Sequence, residues 1–213
     1  MQAFIFFLTL FTNHLFTQDL FFSEYAEGSG NNKYLEIYNP TDASIDLTDY
    51  ELWRIQNGGD WTEGQGNRVD IQGAIASRDV WVICNSQADQ NIQYQADSIG
   101  SSITQFNGDD AVGLTHNGVL IDVVGVSGDD PGSGWEVAGI SQGTKDHTLV
   151  RKYLVTSGNT DWALSSGTDS TNSEWIVYNS NTWDFIGFHN SDSVLQDTSL
   201  SNDQDTSSTN LTY

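Results

Sequence analysis

Short runs in which apolar and polar residues alternate recur along most of the chain, and Gly, Asn, Asp and Ser bound them. An alternation with a period of two is the pattern of a half-buried β-strand, and the runs are rich in the Val, Ile, Tyr and Trp that strands favour. The runs are FFSEYAE, KYLEIYN, YELWRI, DVWVICN, DAVGLTH, GVLIDVVG, LVRKYLV and EWIVYN. The pattern therefore predicts a mainly β protein.

The dipeptide Asn117-Gly118 separates two of these runs, AVGLTH and VLIDVVG. A two-residue type I′ turn needs a positive φ at both central positions, which Asn and Gly tolerate best. We therefore predict a β-hairpin centred on this dipeptide.

One stretch, SQADQNIQ at 86–93, has the pattern of a helix start. Ser86 is in a position to cap the helix and Asp89 stands three residues later, a capping-box arrangement with Asp in place of Glu. One short helix beside about eight strands favours two stacked sheets over an α/β or helical fold. The predicted fold class is all-β, a β-sandwich with at most one short helix.

The two ends of the chain differ in composition from the middle. An apolar run from Ala3 to Phe11 is too short to span a bilayer as a helix and resembles a signal peptide, although it lacks a basic start. A first β-strand after a disordered start is the alternative. From about residue 190 the chain is polar and rich in Ser, Thr and Asp. We expect a signal peptide at 1–18, one domain at 19–189, and a disordered tail or linker at 190–213.

The charge balance is strongly acidic, with 7 Lys and Arg against 29 Asp and Glu and a formal net charge of −22. Such a surface repels phosphate backbones and anionic lipid, and no later apolar run is long enough for a membrane anchor. We therefore expect neither nucleic acid nor a membrane span among its partners.

The single cysteine, Cys84, alternates with Val80 and Val82 in a strand pattern. One cysteine excludes an intramolecular disulfide, so the domain depends on its hydrophobic core for stability. The pattern places Cys84 in the core as an inert thiol.

Three clusters resemble the lamin-tail domain family in its secreted microbial form. They are FFSEYAEGSGNNKYLEIYNPTDASIDLTDYEL, FNGDDAVGLTHNGVLIDVVGVSGDDPGSGWEVAG, and GTKDHTLVRK followed by NTDWALSSGTDSTNSEWIVY, together spanning roughly 20–189. The resemblance implies an immunoglobulin-like β-sandwich. It also implies an accessory module of the kind found on secreted nucleases, phosphatases and surface proteins, although no companion catalytic domain is present here.

Sequence motifs for catalysis are weak. GISQG at 139–143 matches the G-x-S-x-G nucleophile elbow in letters, but the elbow requires a helix after the Ser, and TKDHTLVRKYLV reads as a turn and a strand. The four His residues lack zinc-ligand spacing, which argues against zinc. We therefore expect no enzyme activity.

Several polar and aromatic residues are candidates for binding. Trp61, in the loop NGGDWTEGQGN, is the tryptophan placed to stack on a sugar, whereas most others fall in strand patterns. Glu24 and Glu36 lie on neighbouring strand patterns, where a structural hydrogen-bond network and a bound cation both remain open.

Two acidic, glycine-containing turns, NGDD at 107–110 and GDDPGSG at 128–134, offer oxygen ligands of the type calcium prefers. Neither matches the EF-hand spacing, and Asp also serves simply to form turns. The candidate ligands are Asp109, Asp110, Asp129 and Asp130, with calcium as the possible cofactor.

The sequence thus predicts a secreted, non-enzymatic lamin-tail-like domain that acts as an adhesion or accessory module on an extracellular protein or polysaccharide. Two alternatives remain open. One is an accessory fragment of a larger secreted nuclease or other hydrolase, and the other is a calcium-stabilised surface protein.

Overall fold

The computed structural model describes residues 18–61, 67–100 and 102–189. The predicted tail at 190–213 and all of the predicted signal peptide except Gln18 lie outside these residues. The described chain forms two β-sheets whose inner faces share one hydrophobic core. The prediction of an immunoglobulin-like β-sandwich is confirmed.

A six-stranded sheet forms one layer, in the order β12-β11-β1-β2-β7-β8. All its neighbours are antiparallel except the pair β7 and β8. Its strands are β1 (Phe21–Glu27), β2 (Lys33–Tyr38), β7 (Val80–Cys84), β8 (Ser98–Ile99), β11 (His147–Arg151) and β12 (Trp175–Asn179).

A four-stranded antiparallel sheet forms the other layer, in the order β10-β9-β4-β5, and a two-stranded ribbon joins β3 to β6. These strands are β3 (Ile45–Asp46), β4 (Tyr50–Ile55), β5 (Asn67–Asp70), β6 (Ala74–Ile75), β9 (Ala111–His116) and β10 (Val119–Val124). All eight predicted strand runs are therefore strands, and β3, β5, β6 and β8 are short additions.

The period of two decides which residues enter the core. Tyr25, Leu35 and Ile83 are paired across β1, β2 and β7, and all three are buried in the core between the sheets. Their neighbours on the opposite face, Tyr34 and Cys84, are also fully buried. The six-stranded sheet is therefore covered on both faces.

The cover on the outer face includes α1 (Gln90–Gln95), whose Ile92 packs into a second apolar cluster with Ile186. The predicted helix at 86–93 is wrong in its start. Asp89, and not Ser86, caps α1, and its side chain accepts a hydrogen bond from the Asn91 N–H at 2.9 Å. The residues before it form a turn, in which the Ala88 N–H bonds to the Asn85 carbonyl.

A second short helix, α2 (Trp162–Ser166), was not predicted, and one turn of 3₁₀ helix lies at Ser102–Gln105. The expectation of at most one short helix is therefore too low by one. The Asp161 side chain caps α2 by accepting from the Leu164 N–H at 3.2 Å, and Gly167, at φ +62°, ends it.

The run LVRKYLV is a strand only as far as Arg151. The chain then turns, with the Val155 N–H bonded to the Lys152 carbonyl at 2.9 Å, and Leu154 is 82% exposed. The apolar residues Tyr153 and Leu154 therefore lie at the surface beyond the end of the strand.

The hairpin at Asn117-Gly118 is confirmed. His116 pairs directly with Val119, and the two turn residues have φ values of +52° and +73°. None of the described helices is long and apolar enough to cross a membrane.

Candidate functional site

The acidic turn before β9 is built into the fold. Asp110 is 1% exposed, and its carboxylate lies 3.2 Å from the Arg54 guanidinium and accepts from the Asn107 N–H at 3.0 Å. Burial raises the pKa of Asp110, while Asn107 and Arg54 act in the opposite direction. Asp109 beside it is half-buried.

The second acidic turn is at the surface. Asp129 and Asp130 are exposed, and the Asp130 carboxylate accepts from the Gly132 N–H at 2.8 Å, which is a local turn contact. Within the described chain, no three His, Cys, Asp or Glu side chains are grouped so that they could hold a metal ion. The structure therefore does not bring three of the four candidate aspartates together, and calcium binding stays a prediction.

The GISQG segment forms consecutive turns. Val137 and Ile140 form an isolated bridge, Gly139 and Gln142 have positive φ, and Ser141 is exposed. The next regular element is strand β11, so the strained strand-to-helix turn of a nucleophile elbow is not formed here. The nearby His147 Nδ1 contacts the Lys145 carbonyl at 2.5 Å.

Glu24 and Glu36 are direct cross-strand partners on the covered outer face of the six-stranded sheet, and both are buried. Glu36 accepts from the Gly187 N–H at 2.6 Å and the Ser23 hydroxyl at 2.7 Å. Glu24 accepts from the Tyr34 hydroxyl at 2.6 Å, while its Oε1 has no partner among the described residues.

Burial raises the pKa of Glu36 to about 8. Burial also raises the pKa of Glu24 well above its usual range, and the neighbouring Glu36 raises it further. Two carboxyls whose charged forms are disfavoured by burial do not suit a cation. This arrangement favours the structural network over the cation site.

Trp61 is held at its backbone from both sides. Its carbonyl accepts from Arg68 Nη2 at 2.7 Å, and its N–H donates to the Ser127 hydroxyl at 3.4 Å. The Arg68 guanidinium also stacks on Trp53 at 3.8 Å, and the Trp53 and Trp61 rings are 6.4 Å apart. The loop tryptophan is thus tied to the four-stranded sheet.

The Trp61 ring lies over a glycine in the middle of β9. A Cβ on Gly113 would come within 3.4 Å of Trp61 Cη2 and within 2.6 Å of Leu120 Cδ2. The missing side chain lets both residues approach the strand closely.

One wall of a cavity of about 500 Å³ is formed by Trp61, and we call it the Trp61 cavity. Its lining includes apolar residues of β10, Leu120 and Val123, and the polar residues Ser127, Thr160 and Asp161. Trp162 also lines it, is 4% exposed, and has an indole N–H without a partner among the described residues.

The lamin tail domain model matches residues 16–128, more than half of the 213-residue chain. The chain belongs to the lamin tail domain family. The match takes in the strands from β1 to β10, which include the whole four-stranded sheet and Trp61. No curated protein matches the chain.

Lamin tail domains are non-catalytic, immunoglobulin-like interaction modules. The surface cavities are therefore candidate binding sites. In this lamin tail domain, β11, α2 and β12 follow the matched range, and β11 completes the six-stranded sheet by pairing with β1. The segment between β11 and α2 contributes Thr160 and Asp161 to the Trp61 cavity, and α2 contributes Trp162. The sequence predicted Trp61 as the sugar-stacking residue but not these partners, because only the fold brings β10 beside α2.

Proposed function

We propose that this lamin tail domain is a secreted, non-enzymatic adhesion or accessory module that binds extracellular polysaccharide in the Trp61 cavity. The observation that carries the proposal is the composition of that cavity. An indole wall stands beside residues that carry hydroxyl and carboxylate groups.

This combination matches the chemistry of a sugar. A pyranose ring presents apolar C–H faces that pack on aromatic rings, and hydroxyls that hydrogen-bond in both directions.

The charge of the chain narrows the class of polysaccharide. With a net charge of −22, the domain repels anionic polymers, and the Trp61 cavity is lined by Asp161 without a basic residue among its described lining. The preferred ligands are therefore neutral or amino-sugar polysaccharides.

The test is retention of the purified domain on insoluble cellulose, chitin, β-1,3-glucan and starch, with polygalacturonate as the anionic comparison. We expect retention on at least one neutral or amino-sugar polymer and its loss in Trp61→Ala. Tyr94→Ala is the matched control, because Tyr94 is 80% exposed on α1 and lines none of the described cavities. Absence of retention on all four polymers would contradict the proposal, as would equal retention of the two variants.

Secretion has a separate test. Expression of the full chain in a secreting host should give extracellular protein that begins near Asp19, as read by N-terminal sequencing. Intracellular protein that still begins at Met1 would contradict it.

A further inference from the structure

One continuous segment of the chain, residues 153–163, lines three cavities in succession. The first part lines a cavity of about 580 Å³, here the Tyr153 cavity, and the middle part lines one of about 520 Å³, the central cavity. The last part lines the Trp61 cavity.

The three cavities adjoin one another through shared residues. Thr156 lines both the Tyr153 cavity and the central cavity, while Thr160 and Leu120 line both the central cavity and the Trp61 cavity. The three cavities therefore follow one another along the segment from Tyr153 to Ala163, and we call this sequence of cavities the path.

Both ends of the path have aromatic walls. At the far end, Tyr153 is 41% exposed, and the His189 ring lies 4.7 Å from Tyr38. Trp61 and Trp162 line the near end.

The His189 imidazole is neutral at ordinary pH. Burial and, to a lesser extent, the nearby Arg151 together lower its pKa to about 4. Arg78, which lines the same cavity, is paired with Asp42 at 2.8 Å. The far end therefore combines aromatic rings with the half-exposed guanidinium of Arg78, whose charge Asp42 offsets, and this suits an uncharged sugar.

The segment is fixed before any ligand arrives. The Asn159 N–H bonds to Asp122 at 2.8 Å and its amide donates to Glu174 at 2.9 Å, so the segment is attached to a buried ion-pair network. Gly158 is pressed against β10, since a Cβ there would lie 2.3 Å from the Ile121 carbonyl oxygen. A preorganised wall loses little entropy on binding.

We propose that the three cavities form one binding track for an extended polysaccharide chain, with sugar rings stacked on Trp61 at one end and on Tyr153 at the other. This inference rests on the proposed function, which requires only the Trp61 cavity. It adds that the ligand is a linear polymer, recognised along its length and not at a terminus.

The test is the dissociation constant for a length series of soluble oligomers of the polysaccharide that is retained, measured by calorimetry. Affinity should rise by about tenfold or more between an oligomer that fills one cavity and one long enough to reach the Tyr153 cavity. Trp61→Ala should weaken binding at every length. Tyr153→Ala should weaken the longest oligomers about tenfold and leave the shortest unchanged, while Tyr94→Ala should match the wild type at all lengths.

The outcomes separate the two proposals. Binding that depends on Trp61 but neither increases with length nor responds to Tyr153→Ala would overturn the track and leave the Trp61 site standing. Failure of every oligomer to bind would overturn both, and would direct attention to a protein partner.

Discussion

Arg151 and Asp122 form a fully buried ion pair that joins the two sheets, with Arg151 Nη2 2.5 Å from Asp122 Oδ2. Arg151 belongs to β11 of the six-stranded sheet and Asp122 to β10 of the four-stranded sheet. The Asp122 carboxylate also accepts from the Phe22 and Asn159 N–H groups, each at 2.8 Å. One carboxylate therefore ties together both layers and the 153–163 segment.

Removal of this carboxylate should be costly. Asp122→Ala leaves Arg151 with Glu174 as its one remaining carboxylate, 2.6 Å from Nη1, and removes the acceptor of the buried Phe22 N–H. We expect a loss of about 3 kcal/mol in the free energy of unfolding, measured by urea denaturation. Asp42→Ala is the control, because it breaks an ion pair in which the Asp42 side chain is 91% exposed. A urea midpoint for Asp122→Ala equal to that of Asp42→Ala would show that the pair is not structural.

Stability should fall as the pH rises from mildly acidic to mildly alkaline. The pKa of Glu36 is about 8 in the folded protein and 4.5 ordinarily, because burial disfavours its charged form. Between these values the native state binds more protons than the unfolded state, so the free energy of unfolding decreases with increasing pH. Glu24, whose pKa is also raised by burial, contributes in the same direction.

The double variant Glu24→Gln/Glu36→Gln isolates this effect. Its urea midpoint should vary less than that of the wild type between about pH 5 and pH 9. Asp42→Asn controls for the lost negative charge. An unchanged pH slope in the double variant would place the titrating groups elsewhere.

The thiol of Cys84 should be unreactive in the folded protein. The residue is fully buried in β7, and burial raises its pKa to about 11, so little thiolate is present to react. Mass spectrometry after treatment with iodoacetamide at about pH 8 should show unmodified native protein and complete labelling in guanidinium. Rapid labelling without denaturant would mean that β7 opens.

At position 118, the hairpin turn should tolerate Asn better than Ala. Gly118 has a φ of +73°, and nothing lies within 4 Å of a Cβ built there, so any cost is backbone strain alone. Gly118→Ala should lower the free energy of unfolding by about 1 kcal/mol, and Gly118→Asn by less, because Asn adopts the left-handed region more readily. Equal stability of Gly118→Ala and the wild type would show that the positive φ at this position does not strain an Ala backbone.

Much of the fold was predictable because period-two patterns report directly on burial. The strand runs and the Asn117-Gly118 turn depend on neighbouring residues alone. The end of β11 was not predictable, because the chain leaves the sheet at Lys152 although Tyr153, Leu154 and Val155 are residue types that strands favour. The sequence shows both ends of α2, because Asp161 stands before WALSS and Gly167 after it. Five residues nevertheless give too short a helical pattern to recognise.

The site was only partly predictable. Trp61 stood out as an aromatic residue in a loop, and its use as a cavity wall follows from Gly113 and Leu120, which the fold brings from β9 and β10. Asp110 resembled a ligand in sequence because its partner Arg54 lies on a different strand. Residues distant in sequence decided both cases.

Tryptophan indole N–H signals in a ¹H–¹⁵N NMR titration with a soluble oligosaccharide test the central claim most directly. The signals of Trp61 and Trp162 should shift as the Trp61 cavity fills. That of Trp175 should stay in place, because its N–H is buried and bonded to Ser165 at 2.9 Å. Saturating binding that leaves the Trp61 and Trp162 signals unmoved, or no binding of any neutral or amino-sugar oligosaccharide, would contradict a polysaccharide site at Trp61.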